Sequence, residues 1–136
     1  MYPHLPFFLL PLAVALLSDL AKILWHGVKS GNWDEKLFQS GGMPSTHSAF
    51  VTSLMVLVQH TSGVESIEFA IAFTFAAIVW YDAFHSRKAI GEQAEILNRL
   101  QRWKRLKVRL GHSFKEVVGG ILFGLVVTWL LMGFWF

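Results

Sequence analysis

Four apolar stretches, Leu5–Trp25, Pro44–His60, Ile67–Phe84 and Ser113–Phe134, take up more than half of this 136-residue chain. A helix needs roughly 20 apolar residues to cross a hydrocarbon core, with about 17 as the lower limit. Inside that core a backbone must satisfy its own N–H and C=O groups, which a helix does within a single segment. The chain therefore reads as an all-α integral membrane protein with four transmembrane helices, residues 1–136 forming one membrane-embedded domain. Composition agrees: 54% of residues are apolar with glycine left out, and 15% are charged, against about 25% charged in soluble domains. The first stretch does not read as a signal peptide. Met1–Pro6 carries no Lys or Arg, and no small-residue cleavage site follows. Pro3, Pro6 and Pro11 fall before this span or in its first turns, where proline is tolerated. The absence of cysteine excludes disulfides and thiolate metal sites.

Charge is unevenly placed. The stretch His85–Gly111 holds Arg87, Lys88, Arg99, Arg102, Lys104, Arg105, Lys107 and Arg109, opposed only by Glu92 and Glu95. Ala89–Leu100 has helical composition and predicts a short interfacial helix between the third and fourth spans. By the positive-inside rule this loop is cytoplasmic. The loop His26–Gln39 then faces the cytoplasm too, whereas Thr61–Ser66 and both termini lie on the other side. That orientation fits a cytoplasmic (inner) membrane. A short basic loop between spans is a poor nucleic-acid surface. Anionic lipid headgroups are the nearer partner.

The polar residues within or beside the spans fall at one membrane face. Lys22 ends the first span, with Asp19 three residues earlier on the same helix face. It is either a snorkelling interface lysine or a phosphate-binding cation. Ser45 and His47 open the second span, Asp82 and Arg87 follow the third, and His112 and Glu116 open the fourth. In Gly41-Gly42-Met43-Pro44-Ser45-Thr46-His47 two glycines free the backbone, and Pro44 has a φ preset for a first helical position. Ser45 and Thr46 offer hydroxyls to the opening turn. An ordinary capped helix start has these features, and so does an anion site at the positive end of a helix dipole.

His112 and Glu116 are spaced i, i+4 and share a face. A carboxylate there fixes the imidazole tautomer and leaves the other ring nitrogen to attack or to accept a proton. His47, from a different helix, can hold the complementary protonation state. One histidine as nucleophile and one as acid suffice for phosphoryl transfer without a metal or other cofactor. A mixed metal set of His47, Asp82, His112 and Glu116 is the rival, but no compact ligand motif is present and the surrounding cations oppose it. Gly120 and Gly124 form a small-xxx-small pair on the fourth span, suited to close helix packing.

At these residues the chain resembles the type 2 phosphatidic acid phosphatase superfamily, and more closely its short divergent membrane branch. Gly41 to Ala49 resembles that branch's Gly-Gly-Met-Pro-Ser-Ser-His-Ser-Ala. Tyr81-Asp82-Ala83, Arg87, Gly91, Gln93-Ala94 and Leu97-Asn98 resemble a second block, and Gly111-His112, Glu116-Val117 and Gly120 a third. The resemblance implies that His112 attacks phosphorus to form a phosphohistidine, that Glu116 orients it, and that His47 protonates the leaving oxygen. Lys22 and Arg87 would clamp the phosphate, with Ser45, Thr46 and Gly42 lining it and Asp82, Gln93 and Arg109 in support. Thr46 replaces the superfamily's usual Gly, and Glu116 its more usual Asp. The first motif is reduced to Lys22 followed by Lys29-Ser30. Leu106 stands where an Arg is usual six residues before the last His, so Arg87 is its substitute, with Arg105 and Arg109 in reserve. Four spans against six in larger members suit a homodimer.

The reading is a membrane lipid-phosphate phosphatase that acts on a phosphatidylglycerophosphate-like phosphomonoester at the cytoplasmic face. The alternatives are a polyprenyl diphosphate phosphatase and a non-catalytic lipid-phosphate-binding or transport subunit.

Overall fold

The computed structural model describes residues 6–31, 33, 42–106, 108 and 112–135, with the side chains of Arg87 and Trp135 left aside. Arg109, Gly111 and Gly41 lie outside the described residues. The described chain is helical and holds no strand. Helix α1 is Leu9–Ser30, α2 Thr46–Ser62, α3 Ile67–Tyr81, α4 Arg87–Leu100 and α5 Phe114–Trp135, with a π-helical turn at Asp82–Ser86.

Helix α2 is the axis of the bundle. It packs against α1, α3 and α5, while α1 also touches α5. The apolar core between them is Leu10 and Val14 of α1, Ala49, Val56 and Leu57 of α2, and Met132 of α5. The seam between α2 and α5 is close because it lacks side chains on one side. A Cβ on Gly120 would run into the Ser45 carbonyl and lie 2.9 Å from Ser48 Cβ, and one on Gly124 would lie 3.0 Å from Thr52 Cβ. Small residues allow such an approach, and dispersion across it then holds the helices together.

The distribution of polarity is the reverse of a water-soluble bundle. Ser18, Ser45, Ser48, Thr52, Ser53 and Thr128 are fully buried. Leu12, Leu16, Leu20 and Leu24 form an exposed stripe on α1, and Ile67, Ile71, Phe75 and Ile78 lie exposed on α3. Two of these hydroxyls turn to their own helix: Thr52 Oγ1 donates to the Ser48 carbonyl at 2.6 Å, and Thr128 to that of Gly124. Such an exterior suits hydrocarbon.

Among the described residues, three helical runs are long and apolar enough to cross a membrane: Leu9–Ser30, Ile67–Leu100 and Phe114–Phe134. Helix α2, at 17 residues, stands at the lower limit for a span. It is also packed on three sides, so its polar Ser48, Thr52 and Ser53 meet helices rather than the apolar exterior.

Boundaries differ from the sequence reading in three places. Helix α1 continues past Trp25 to Ser30, and stops at Gly31, which has φ +66° and donates its N–H to the Gly27 carbonyl at 3.0 Å. Pro44 is not the first helical residue. Ser45 is the N-cap, its hydroxyl accepting the Ser48 N–H at 3.4 Å, so the proline stands just outside, after a cis Met43–Pro44 bond. The third apolar run does not end before a separate helix but passes through the π-turn into α4. Helix α4 makes its main contacts with that turn. It exposes Ile90, Ile96, Leu97 and Leu100.

Candidate active site

Four chain segments meet at one end of the bundle, and hydrogen bonds join them in series. The second half of α1 meets the start of α2 through Lys22, whose Nζ donates to Thr46 Oγ1 at 3.0 Å and lies 3.4 Å from Asp19 Oδ1. Thr46 in turn donates to Asp19 Oδ1 at 2.6 Å. The start of α2 meets the start of α5 where the Ser45 N–H donates to the Glu116 carbonyl at 3.1 Å. The start of α5 meets the π-turn where the His112 N–H donates to the Ala83 carbonyl at 3.2 Å.

Lys22 is only 8% exposed. A cation in an apolar bundle needs a counter-charge or strong acceptors. Asp19, one helical turn away, and the Thr46 hydroxyl supply both. The lysine is thereby fixed beside the first turn of α2, where the helix dipole is positive. Its long stem does not snorkel outward. Gly42 presses against that stem: a Cβ there would lie 3.6 Å from Lys22 Cδ, and its φ of +105° favours glycine.

His112 is 7% exposed, just before α5. Its Nδ1 lies 3.1 Å from Glu116 Oε2. The same carboxylate oxygen accepts the Ser113 N–H at 3.0 Å, and Ser113 Oγ accepts the Glu116 N–H at 3.3 Å. This reciprocal pair is a capping box. Glu116 thus both starts the helix and holds the histidine. With Nδ1 engaged by a carboxylate, Nε2 is the nitrogen that carries the lone pair.

His47 follows Thr46 in the first turn of α2 and is exposed. Asp82 opens the π-turn, and its N–H reaches the Ile78 and Val79 carbonyls. Gln93 is an exposed residue of α4 and no described contact ties it to this cluster. The backbone of Arg87 begins α4, one residue past the π-turn. Among the described residues no group of three or more His, Asp and Glu side chains converges as metal ligands would.

Sequence reasoning noted Asp19 only as a neighbour of Lys22. Its second role, accepting from Thr46, depends on the register of α1 against α2. It missed the capping box, although Ser113-Phe-Lys-Glu116 spells one. It also missed His26, four residues beyond Lys22, whose Nε2 would be 2.9 Å from a Cβ on Gly42. The i, i+4 spacing of Lys22 and His26 was the available signal.

Comparisons with known proteins place this geometry in context. The sequence model of the Divergent PAP2 family matches residues 4–127. An uncharacterized membrane protein of Bacillus subtilis (strain 168), YuiD, is 34% identical over 144 residues, covering 90% of this chain and 91% of the relative. No solved structure matches.

Proposed function

This chain belongs to the divergent PAP2 family, and on that premise we propose that it is a metal-independent lipid-phosphate phosphatase working through a phosphohistidine. The family links it to a phosphatase superfamily. The observation that carries the proposal is the His112–Glu116 pair, 3.1 Å apart at a helix start that is bonded to the Thr46 end of α2. A carboxylate-held imidazole on one helix, and a buried lysine at the positive end of the helix bonded to it, are the parts phosphoryl transfer needs.

In this mechanism the phosphate of the substrate binds against the Lys22 ammonium and the start of α2, with the Lys22–Thr46 bond kept. Glu116 accepts a hydrogen bond from His112 Nδ1–H, and Nε2 attacks phosphorus. The bond from phosphorus to the lipid oxygen breaks, and His47 gives that oxygen a proton. Water then attacks phosphorus and gives a proton to His47, the bond from phosphorus to Nε2 breaks, and inorganic phosphate leaves. Thr46 and Asp19 hold Lys22 in place, and Arg87 is assigned as the second cation for the phosphate.

The membrane arrangement belongs to the same proposal. Helix α2 is the second span and completes the four, enclosed by the other three, and α4 lies at the interface with its exposed Ile90, Leu97 and Leu100 toward lipid. The basic residues around α4 put the site at the cytoplasmic face of the inner membrane. A phosphomonoester made in that leaflet, such as phosphatidylglycerophosphate, reaches it without flipping.

The test is phosphate release from a panel of lipid phosphates by purified protein, with EDTA and vanadate arms. Turnover of a lipid phosphomonoester that survives EDTA and falls with vanadate is the expected result. Binding without turnover on every substrate would make the protein a non-catalytic carrier. Inhibition by EDTA that one divalent ion reverses would replace the phosphohistidine route with metal chemistry. Preference for a polyprenyl diphosphate would change the substrate and leave the mechanism.

A further inference from the structure

The geometry around Gly42 points to His26 as a further phosphate-binding residue, working beside Lys22 at the mouth of the site; this inference rests on the phosphatase reading above. His26 stands one helical turn beyond Lys22 on α1, so the two side chains share a face with their Cβ atoms about 5–6 Å apart. Both close on the same piece of backbone. A Cβ on Gly42 would be 2.9 Å from His26 Nε2 and 3.6 Å from Lys22 Cγ and Cδ. The absence of a side chain at Gly42 is what lets the imidazole edge come in.

Gly42 lies three residues before the N-cap of α2, on the approach to the positive end of that helix. The two side chains differ in depth. Lys22 is buried and His26 exposed, so the lysine forms the wall and the histidine the entrance. The charge of Lys22 is already shared, because Asp19 Oδ1 lies 3.4 Å and Thr46 Oγ1 3.0 Å from its Nζ. A phosphomonoester is close to a dianion at neutral pH and takes several donors. An imidazole N–H donates to a phosphate oxygen in the neutral form and in the charged form alike. The ligand chemistry is therefore a terminal phosphate, whether on the lipid substrate or as the released inorganic ion.

The experiment uses the full chain in detergent, as wild type, His26→Ala and His26→Lys. Inorganic phosphate affinity is measured by 31P NMR titration, and kcat and KM are measured on a lipid phosphomonoester. Loss of a hydrogen bond to a charged group predicts about a tenfold weaker phosphate Kd and a matching rise in KM for His26→Ala. The kcat should stay close to wild type. His26→Lys restores a donor and should return the phosphate affinity, with the thermal midpoint unchanged in both variants. If the wild type hydrolyses nothing yet His26→Ala still loses phosphate, the phosphatase reading fails and the His26 site stands. Unchanged phosphate affinity in His26→Ala overturns the inference, as does a wild type that binds no phosphate. Equal losses in both variants with a lowered midpoint would make His26 a structural residue and overturn it too.

Discussion

The two ends of α2 carry similar residues and use them differently. At its start, Thr46 bonds to Asp19 and Lys22 of α1, and the Ser45 N–H bonds to the backbone of α5. At its far end, the Thr61 hydroxyl donates to the Leu57 carbonyl of its own helix at 3.0 Å, and the Gly63 N–H returns to Gln59. Ser66 caps α3 locally in the same way, accepting the Phe69 N–H at 3.1 Å. His60 meets α5 through ring packing on Trp129, with centroids 6.2 Å apart. Polar groups that satisfy their own helix are what an apolar environment demands of any helix end. Polar groups that reach across to other helices fix the relative positions of charged side chains. That is the condition for a preorganised site.

The sharpest way to break this comparison is at the start of α5. His112→Ala should remove turnover by at least about 1000-fold, because it deletes the attacking group and not one hydrogen bond among several. The protein should still insert, which a protease-protection assay can read. Residual turnover within about tenfold of wild type would remove His112 from the nucleophile's place.

Next is the seam that sets the register of α2 and α5. Gly120→Ala puts a methyl group against the Ser45 carbonyl and 2.9 Å from Ser48 Cβ. Overpacking of this kind costs about 1–3 kcal/mol. It should lower the thermal midpoint and also turnover, because the displaced Ser45 bonds the Glu116 carbonyl. Gly133→Ala is the control. Nothing lies within 4 Å of that position, so both readouts should stay at wild-type values.

The smallest effects compare like with like. Thr46→Val removes the hydroxyl that bridges Asp19 and Lys22, and should raise KM about tenfold, the worth of a hydrogen bond to a charged group. Thr61→Val removes a hydroxyl that touches only its own helix, and should move neither KM nor kcat. Equal kinetic effects at Thr46 and Thr61 would show that the two ends of α2 do not differ in role.

Much of this was legible in the sequence, for reasons that are physical. Helical spacing alone pairs His112 with Glu116 and Lys22 with Asp19, and it sets Gly120 and Gly124 on one face. Apolar length marks α1, α3 and α5. Helix α2 is harder to read, because a helix enclosed by others need not be long or apolar enough to face lipid. The passage of α3 through the π-turn into α4 has no local signal in Asp82–Ser86. The sharing of Asp19 between Lys22 and Thr46, and the approach of His26 to Gly42, depend on how α1 sits against α2. No periodicity within one segment reports that. Gln93 shows the reverse case, a residue that matches a family block and lies on α4 without a described tie to the cluster. The Glu116 capping box is spelled Ser-x-x-Glu at Ser113–Glu116, and one carboxylate there serves both the helix start and His112.

The most direct test of the account is to trap the phosphoryl group. Purified protein is mixed with a lipid phosphomonoester labelled in its phosphate, quenched in alkali, where a phosphohistidine survives, and mapped by peptide. The account predicts label on His112 in the wild type and none in His112→Ala. Label on His47, or turnover with no histidine labelled in any variant, would contradict it.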